Sequence, residues 1–437
     1  TGKSVSKMSS FFANASYSYL DKYILTGALR YDGSDIIGND NQFTPLWNVG
    51  LRWNLHREEF MKRWMWVDQF AVRGGFGYTG SIDKNALPFV VMTLGQSVIY
   101  DGQTVPTSFS YPNPNVKWQT KQDMNVGLDL SLFDYRLELG VNYYNNITRD
   151  VLDRKALPYS SGRRAVTENV ADIYNSGWEI DLGVTLLKNK SFQWYAKANI
   201  AINDNKVKNT YYKDTKDLPK ATLSNAHQFV ENQPVNGWYG YKFAGINPIN
   251  GAVMTYTGNG EATLDMSVSG ATWPTPSVFY LGNLTPPVVG GFSTSANWKQ
   301  LIFSANFEFK TGHKIKSFNT FRSLDARNRH TSEANRWREP GDITNVPAMS
   351  EVYTSYSSYM YDILLEKGNY LRCSYMTLGY NLKPEWLHKI GFSTARLSFT
   401  AKDLFTISSY SGIDPALMGS FGYPNSRKYT ITLNVGF

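Results

Sequence analysis

Lys428-Tyr-Thr-Ile-Thr-Leu-Asn-Val-Gly-Phe437 alternates with a period of two. Tyr429, Ile431, Leu433, Val435 and Phe437 share one face, while Lys428, Thr430, Thr432, Asn434 and Gly436 share the other. Successive side chains of a strand point to opposite sides, so the stretch reads as a strand with one apolar and one wet face. A soluble sandwich strand could carry the same alternation. Here, however, the sequence ends on an aromatic residue of the apolar face with no polar tail, as expected of the closing strand of a membrane β-barrel.

The same design recurs upstream. Phe11–Tyr19 and Tyr23–Tyr31 are predicted to pair about Leu20-Asp-Lys22, and Trp47–Leu55 and Phe70–Tyr78 to flank a short helical connection over His56–Asp68. Met124–Leu132 turns through Phe133-Asp-Tyr135 into Leu137–Tyr143, Trp178–Leu186 through Lys188-Asn-Lys190 into Phe192–Ile202, and Gly290–Trp298 at Lys299-Gln300 into Leu301–Phe309. Strands near Arg372–Leu382 and Ala395–Phe405, joined by a helical Pro384–Lys389, precede the terminal strand. Thirteen strands result, and their connections alternate between short and long, the longest running from Asp204 to Pro287. That asymmetry is expected when turns lie on one membrane side and loops on the other.

An odd number of antiparallel strands cannot close on itself, because the first and last would run parallel. Residues 1–437 are therefore expected to be the C-terminal portion of one transmembrane antiparallel barrel, with an odd number of strands upstream. Thr1-Gly-Lys-Ser-Val-Ser-Lys7, with neither an initiator Met nor a charged-then-apolar signal, fits that expectation.

Composition agrees with an all-β chain. Gly and aromatic residues are abundant and charged residues make up 18%, below the globular average of about 25%. Mean hydropathy is -0.37, and no window approaches the roughly 18 consecutive apolar residues of a membrane helix, a test that a barrel would evade. The net charge of +8 is scattered between strands without a basic stripe, which argues against nucleic acid as a partner. The single Cys373 excludes an internal disulfide framework.

Catalytic and cofactor motifs do not emerge. Gly74-Gly-Phe-Gly77 sits within a strand pattern instead of opening a helix, so it is no phosphate loop. His56, His227, His313, His330 and His388 are dispersed without metal-ligand spacing, and no metal, cofactor or enzyme activity is expected.

Charges on the polar strand faces carry more information. Arg30, Arg52, Arg73, Asp129, Glu138, Glu179, Asp181, Lys197 and Glu308 would be costly facing lipid, so they are expected to line a wet or protein-filled lumen. In the longest loop, Val235-Asn-Gly-Trp-Tyr-Gly-Tyr241 places Trp238, Tyr239 and Tyr241 beside turn residues, where exposed rings could meet a solute or partner. Tyr19, Trp66, Trp118 and Trp194 fall near strand ends, as an interfacial aromatic girdle requires.

Leu29-Arg-Tyr-Asp-Gly-Ser34, Pro112-Asn-Pro-Asn-Val-Lys-Trp118, Asp403-Leu-Phe-Thr-Ile407 and Tyr410-Ser-Gly-Ile-Asp-Pro415 occur in this order. Together with Phe437 they resemble the barrel of the SusC/RagA-like TonB-dependent transporters of Bacteroidetes. The resemblance implies an outer-membrane barrel of about 22 strands with a plugged lumen, of which this chain would hold the last thirteen. It implies an active importer of oligosaccharides or peptides, with a SusD-like surface lipoprotein as lid. Energy would come from the TonB-ExbB-ExbD machinery through an N-terminal plug that this sequence does not contain. Tyr410 joins Trp238, Tyr239 and Tyr241 as a candidate contact residue for solute or lid. A passive porin and an adhesive or structural barrel are the alternatives, separated from an importer by what lies upstream.

Overall fold

A computed structural model describes residues 7–37, 42–82, 90, 92–100, 103–109, 117–156, 160, 165–215, 218, 229–264, 277–317, 334–348, 361–387, 391–418 and 422–437. In chain order its strands are β1 (Met8–Tyr19), β2 (Tyr23–Ser34), β3 (Phe43–Asn54), β4 (Val67–Ser81), β5 (Met92–Tyr100), β6 (Gln103–Phe109), β7 (Gln119–Leu132), β8 (Leu137–Ala156), β9 (Ala165–Lys188) and β10 (Phe192–Lys208). Short strands follow: β11 (Gly237–Gly240), β12 (Phe243–Ile246), β13 (Val253–Tyr256), β14 (Ala262–Leu264) and β15 (Phe279–Asn283). The chain then continues through β16 (Val288–Trp298), β17 (Leu301–Thr311), β18 (Lys314–Lys316), β19 (Leu365–Lys367), β20 (Tyr370–Asn381), β21 (Thr394–Ser408) and β22 (Lys428–Gly436).

Thirteen of these form one sheet in the order β1-β2-β3-β4-β7-β8-β9-β10-β16-β17-β20-β21-β22. These are the thirteen predicted strands, each beside its sequence neighbour in the set. Register keeps the faces pure: Tyr17, Leu25, Leu51, Gly74 and Val126 stand in one cross-strand row, and Trp194, Ala296, Phe303, Leu378, Phe399 and Ile431 in another. Slipping a strand by one residue would put its polar side chains on the apolar side. Leu51, Leu378 and Leu433 are more than half exposed, an arrangement that water would penalise and hydrocarbon favours. The outer edges of β1 and β22 carry no partner strand among the described residues.

The tight turns are closed by non-glycine residues held in the left-handed region. Leu20 and Asp21 adopt φ of 52° and 53° between β1 and β2, and Lys299 adopts 51° between β16 and β17. Close strand approach needs Gly77: a Cβ there would lie 2.5 Å from the Trp47 carbonyl oxygen. The predicted helical link after β3 is two 3-10 turns, Leu55–Arg57 and Glu59–Arg63. The link before β21 contains a single α-helical turn, α1 (Pro384–Leu387).

On the turn side, Tyr19, Trp66 and Trp194 are exposed as the girdle requires, and Trp66 stacks on both Trp64 and Phe133. Trp118 corrects the expectation. It is buried against Ile37 and donates from Nε1 to the Gln42 carbonyl, because its strand end is folded over by loop residues.

Strand lengths differ from expectation on the loop side. β8 and β9 run 20 and 24 residues, whereas about 9–11 span a bilayer. The apolar-polar contrast fades where a strand leaves lipid, so periodicity reveals only the membrane portion.

By contact density the chain divides into two units. One comprises Thr1–Asp134, Leu139–Trp178 and Asp204–Tyr211; the other comprises Tyr135–Glu138, Glu179–Asn203 and Tyr212–Phe437. In the second unit, loop strands pair as β11-β15, β12-β13-β14 and β18-β19. Leu218, Val230, Tyr239, Tyr241, Ile246, Val253, Val278, Val346 and Tyr361 form a hydrophobic core between them. Segments after β10 and after β17, expected as separate loops, thus fold together around one core, called the cap below.

Candidate functional site

The polar strand face gathers the predicted charges into small clusters. In the first unit, Arg52 Nη1 lies 2.9 Å from Asp129 Oδ2, and Arg73 Nε 3.5 Å from Asp129 Oδ1. Arg30 donates from Nε to Asp32 at 2.5 Å. In the second unit, Lys197 pairs with Asp181 at 3.8 Å. Glu138 lies with the Tyr195 hydroxyl over Gly183, whose absent side chain makes room for both. Glu179 is exposed on the same face as Asp181. These charges are half-buried or exposed, as on a wetted wall, where single ion pairs contribute little stability.

Glu308 leads to a cluster that alternation alone did not mark. Arg372 approaches Glu308 at 3.9 Å and Asp414 at 2.5 Å, and its Nε donates to Thr406 Oγ1. Arg372 and Asp414 are both buried. Asp414 also accepts from the Ala416 amide, capping the 3-10 turn Pro415–Leu417. The Tyr410-Ser-Gly-Ile-Asp-Pro415 segment therefore clamps its loop to β20. In that segment Tyr410 donates its hydroxyl to the Lys316 carbonyl, and Ser411 donates amide and hydroxyl to Glu366. Of Pro112–Trp118, residues 112–116 lie outside the described residues, as do His227, His330 and His388.

The four candidate contact rings are corrected in exposure. Trp238, Tyr239, Tyr241 and Tyr410 are all buried, at 7%, 3%, 0% and 8% of their accessible surface. Trp238 donates from Nε1 to the Lys314 carbonyl and packs with Leu281 and Leu365, while Tyr241 lies against Tyr361. Burial pushes the Tyr239 hydroxyl well above its ordinary range, with Tyr280 adding to the effect, and pushes Tyr280 itself up to about 12. Aromatic residues beside turn residues look alike in a solvated loop and in a folded one. Only the distant segments that cover them, 314–316 and 361–365, distinguish the cases.

Exposed residues of the cap were not singled out by sequence reading. Ile249 and Ile343 are 74% and 97% exposed. Their turns are joined by hydrogen bonds from the Gly341 amide and Trp337 Nε1 to the Pro248 carbonyl. Beside them lies a recess of about 690 Å³ lined by Asn335, Arg336, Arg338, Asp342 and Thr344.

A long antiparallel sheet with an exposed apolar face, an aromatic girdle at its turn side and charges on the opposite face is the wall of an outer-membrane β-barrel. More closely, the chain belongs to the TonB dependent receptor-like, beta-barrel family, whose pattern matches residues 1–307. TonB-dependent receptor P3 of Formosa agariphila is 28% identical over 98% of this chain and 45% of its own length. TonB-dependent receptor SusC of Bacteroides thetaiotaomicron is 23% identical over 98% of this chain and 43% of its own. The solved RagAB peptide transporter superposes with a TM-score of 0.78 at 24% identity, covering 99% of this chain and 48% of that one. The chain spans about half the length of the curated relatives it matches.

Proposed function

We propose that this chain is the C-terminal wall and the cap of a TonB-dependent importer of oligosaccharides or peptides, lidded by a SusD-like lipoprotein. The observation that carries the reading is the hydrophobic core shared by the long connections after β10 and β17. A passive pore needs an open mouth, whereas here two long loops spend their residues on a shared hydrophobic core and a third is clamped to the wall. Long connections are uncommon without function. The outward surface near Ile249, Ile343 and the Arg336–Arg338 recess is the part of the cap that would meet solute or lid; the buried Trp238, Tyr239, Tyr241 and Tyr410 hold that surface in shape.

The unpaired edges of β1 and β22 would be filled by upstream strands, odd in number, and a plug would fill the lumen and engage TonB-ExbB-ExbD. Residues 1–437 expressed alone should not migrate as a compact, heat-resistant barrel, and should do so once the upstream segment is supplied. Uptake of the cognate oligosaccharide or peptide by cells carrying the complete protein should collapse when the proton gradient is discharged or TonB is removed. Uptake that persists under both treatments would identify a passive porin instead.

A further inference from the structure

Arg52 of β3 and Arg73 of β4 stand directly opposite each other in the antiparallel register. Like charges in that position repel, and one carboxylate, Asp129, is shared between them at 2.9 and 3.5 Å. Among the described residues, the hydrogen bonds and ion pairs of the two guanidinium groups reach only Asn54 and Asp129. The cluster keeps a net positive charge and a surplus of N–H donors, since each guanidinium carries five.

The floor beside the pair is covered by small polar groups and not by bulky side chains. The next cross-strand row along the same face is Thr26, Gly50, Gly75 and Asn125, and the Thr26 hydroxyl lies over Gly50, 2.7 Å from where a Cβ would be. The Asn125 amide lies over Gly75, within 3.0–3.4 Å of where a Cβ would be. Gly127 is covered by the Arg73 guanidinium itself, at 2.8 Å from such a Cβ. A planar group approaching the pair from this side would meet two guanidinium groups, the Thr26 hydroxyl and the Asn125 amide.

We propose that Arg52 and Arg73 form a carboxylate-binding site near the turn-side end of the lumenal wall, resting on the reading of the polar face as a lumen. A carboxylate matches the guanidinium fork bidentately, and it would complete a cluster that Asp129 only half neutralises. It would come either from an acidic solute in transit or from an Asp or Glu of a segment that fills the lumen.

The test uses the complete barrel purified in detergent, with heat-resistant migration reporting assembly of each variant. Arg73→Gln should weaken binding of a fluorescent pentaglutamate peptide about tenfold, the equivalent of one charge-assisted hydrogen bond, and leave its pentaglutamine counterpart unaffected. Asp129→Asn should strengthen binding of pentaglutamate. If an Arg52→Gln/Arg73→Gln double variant fails to assemble, the single variant decides. For a carboxylate of the chain itself, Arg73→Lys in an Asp129→Asn background should be joined by a water-soluble carbodiimide to an Asp or Glu, which peptide mapping locates. No change in pentaglutamate binding together with no cross-link would overturn the site. Energised uptake by the wild-type protein in cells is a separate readout, so failure of the import reading is told apart from failure of the site.

Discussion

Arg372 Nη2 lies 2.5 Å from Asp414 Oδ1, and both residues are withdrawn from solvent, at 5% and 9% of their accessible surface. One belongs to the sheet strand β20, the other to the loop leading to β22. A buried charge pair is weak evidence for stability by itself, yet removing one member leaves the other uncompensated.

Asp414→Ala should therefore cost about 3–5 kcal/mol locally, more than its loss of a helix cap alone. The readout is proteolysis of the connection between β21 and β22, which should become rapid in that variant. An Arg372→Met/Asp414→Leu variant should regain much of the protection. Equal protection in Asp414→Ala and the wild type would refute the clamp.

Leu433 occupies the middle of β22 on the apolar face, paired with Leu397, while its neighbour Thr432 faces Ser398 on the polar side. Leu433→Arg should destabilise the assembled barrel by about 2–4 kcal/mol near the bilayer midplane, read from urea unfolding in lipid vesicles. Cysteine labelling at Thr432 with a water-soluble reagent, and none at Leu433, checks the register.

Trp238 belongs to the cap. Trp238→Ala removes a ring packed on Leu281 and Leu365 and the hydrogen bond to the Lys314 carbonyl, a loss of about 3–5 kcal/mol for a buried aromatic residue. Amide exchange should accelerate in β11, β18 and β19 while heat-resistant barrel migration of the complete protein is retained. Unchanged exchange in all three strands would contradict the packing described above.

Glu58 ties the turn-side connections together. It accepts from Tyr23 Oη at 2.7 Å, Trp53 Nε1 at 3.1 Å and Lys22 Nζ at 3.0 Å. The Tyr23 hydrogen bond first, then those of Trp53 and Lys22, hold its carboxyl down at about 2, from an ordinary 4.5. A depressed carboxylate stabilises the fold above its unfolded-state value and loses that contribution as pH falls through the folded one. Exchange protection at Lys22–Tyr23 and Leu55–Arg63 should thus hold above about pH 4.5 and decline toward pH 2. Glu58→Gln should abolish the pH dependence, leaving the same weak protection throughout.

The sequence by itself determined the sheet. Period-two alternation along Tyr429–Phe437 and Phe192–Ile202 is imposed by a lipid face and a wet face, and it is local, so thirteen strands, their order and the turn side could be read without coordinates. Where strands leave the bilayer the constraint lapses, and the outer ends of β8 and β9 were illegible for that reason. The charged wall was partly legible: Arg52, Arg73 and Asp129 stand on the polar face by alternation, but only the register of β3, β4 and β7 put one carboxylate between two opposed arginines. The cap was decided by tertiary structure alone. Burial of Trp238, Tyr239 and Tyr241 depends on β18, β19 and Tyr361, and that of Tyr410 on the Lys316 carbonyl. Packing between segments far apart in the chain has no period, so aromatic residues that read as a contact surface proved to be buried core.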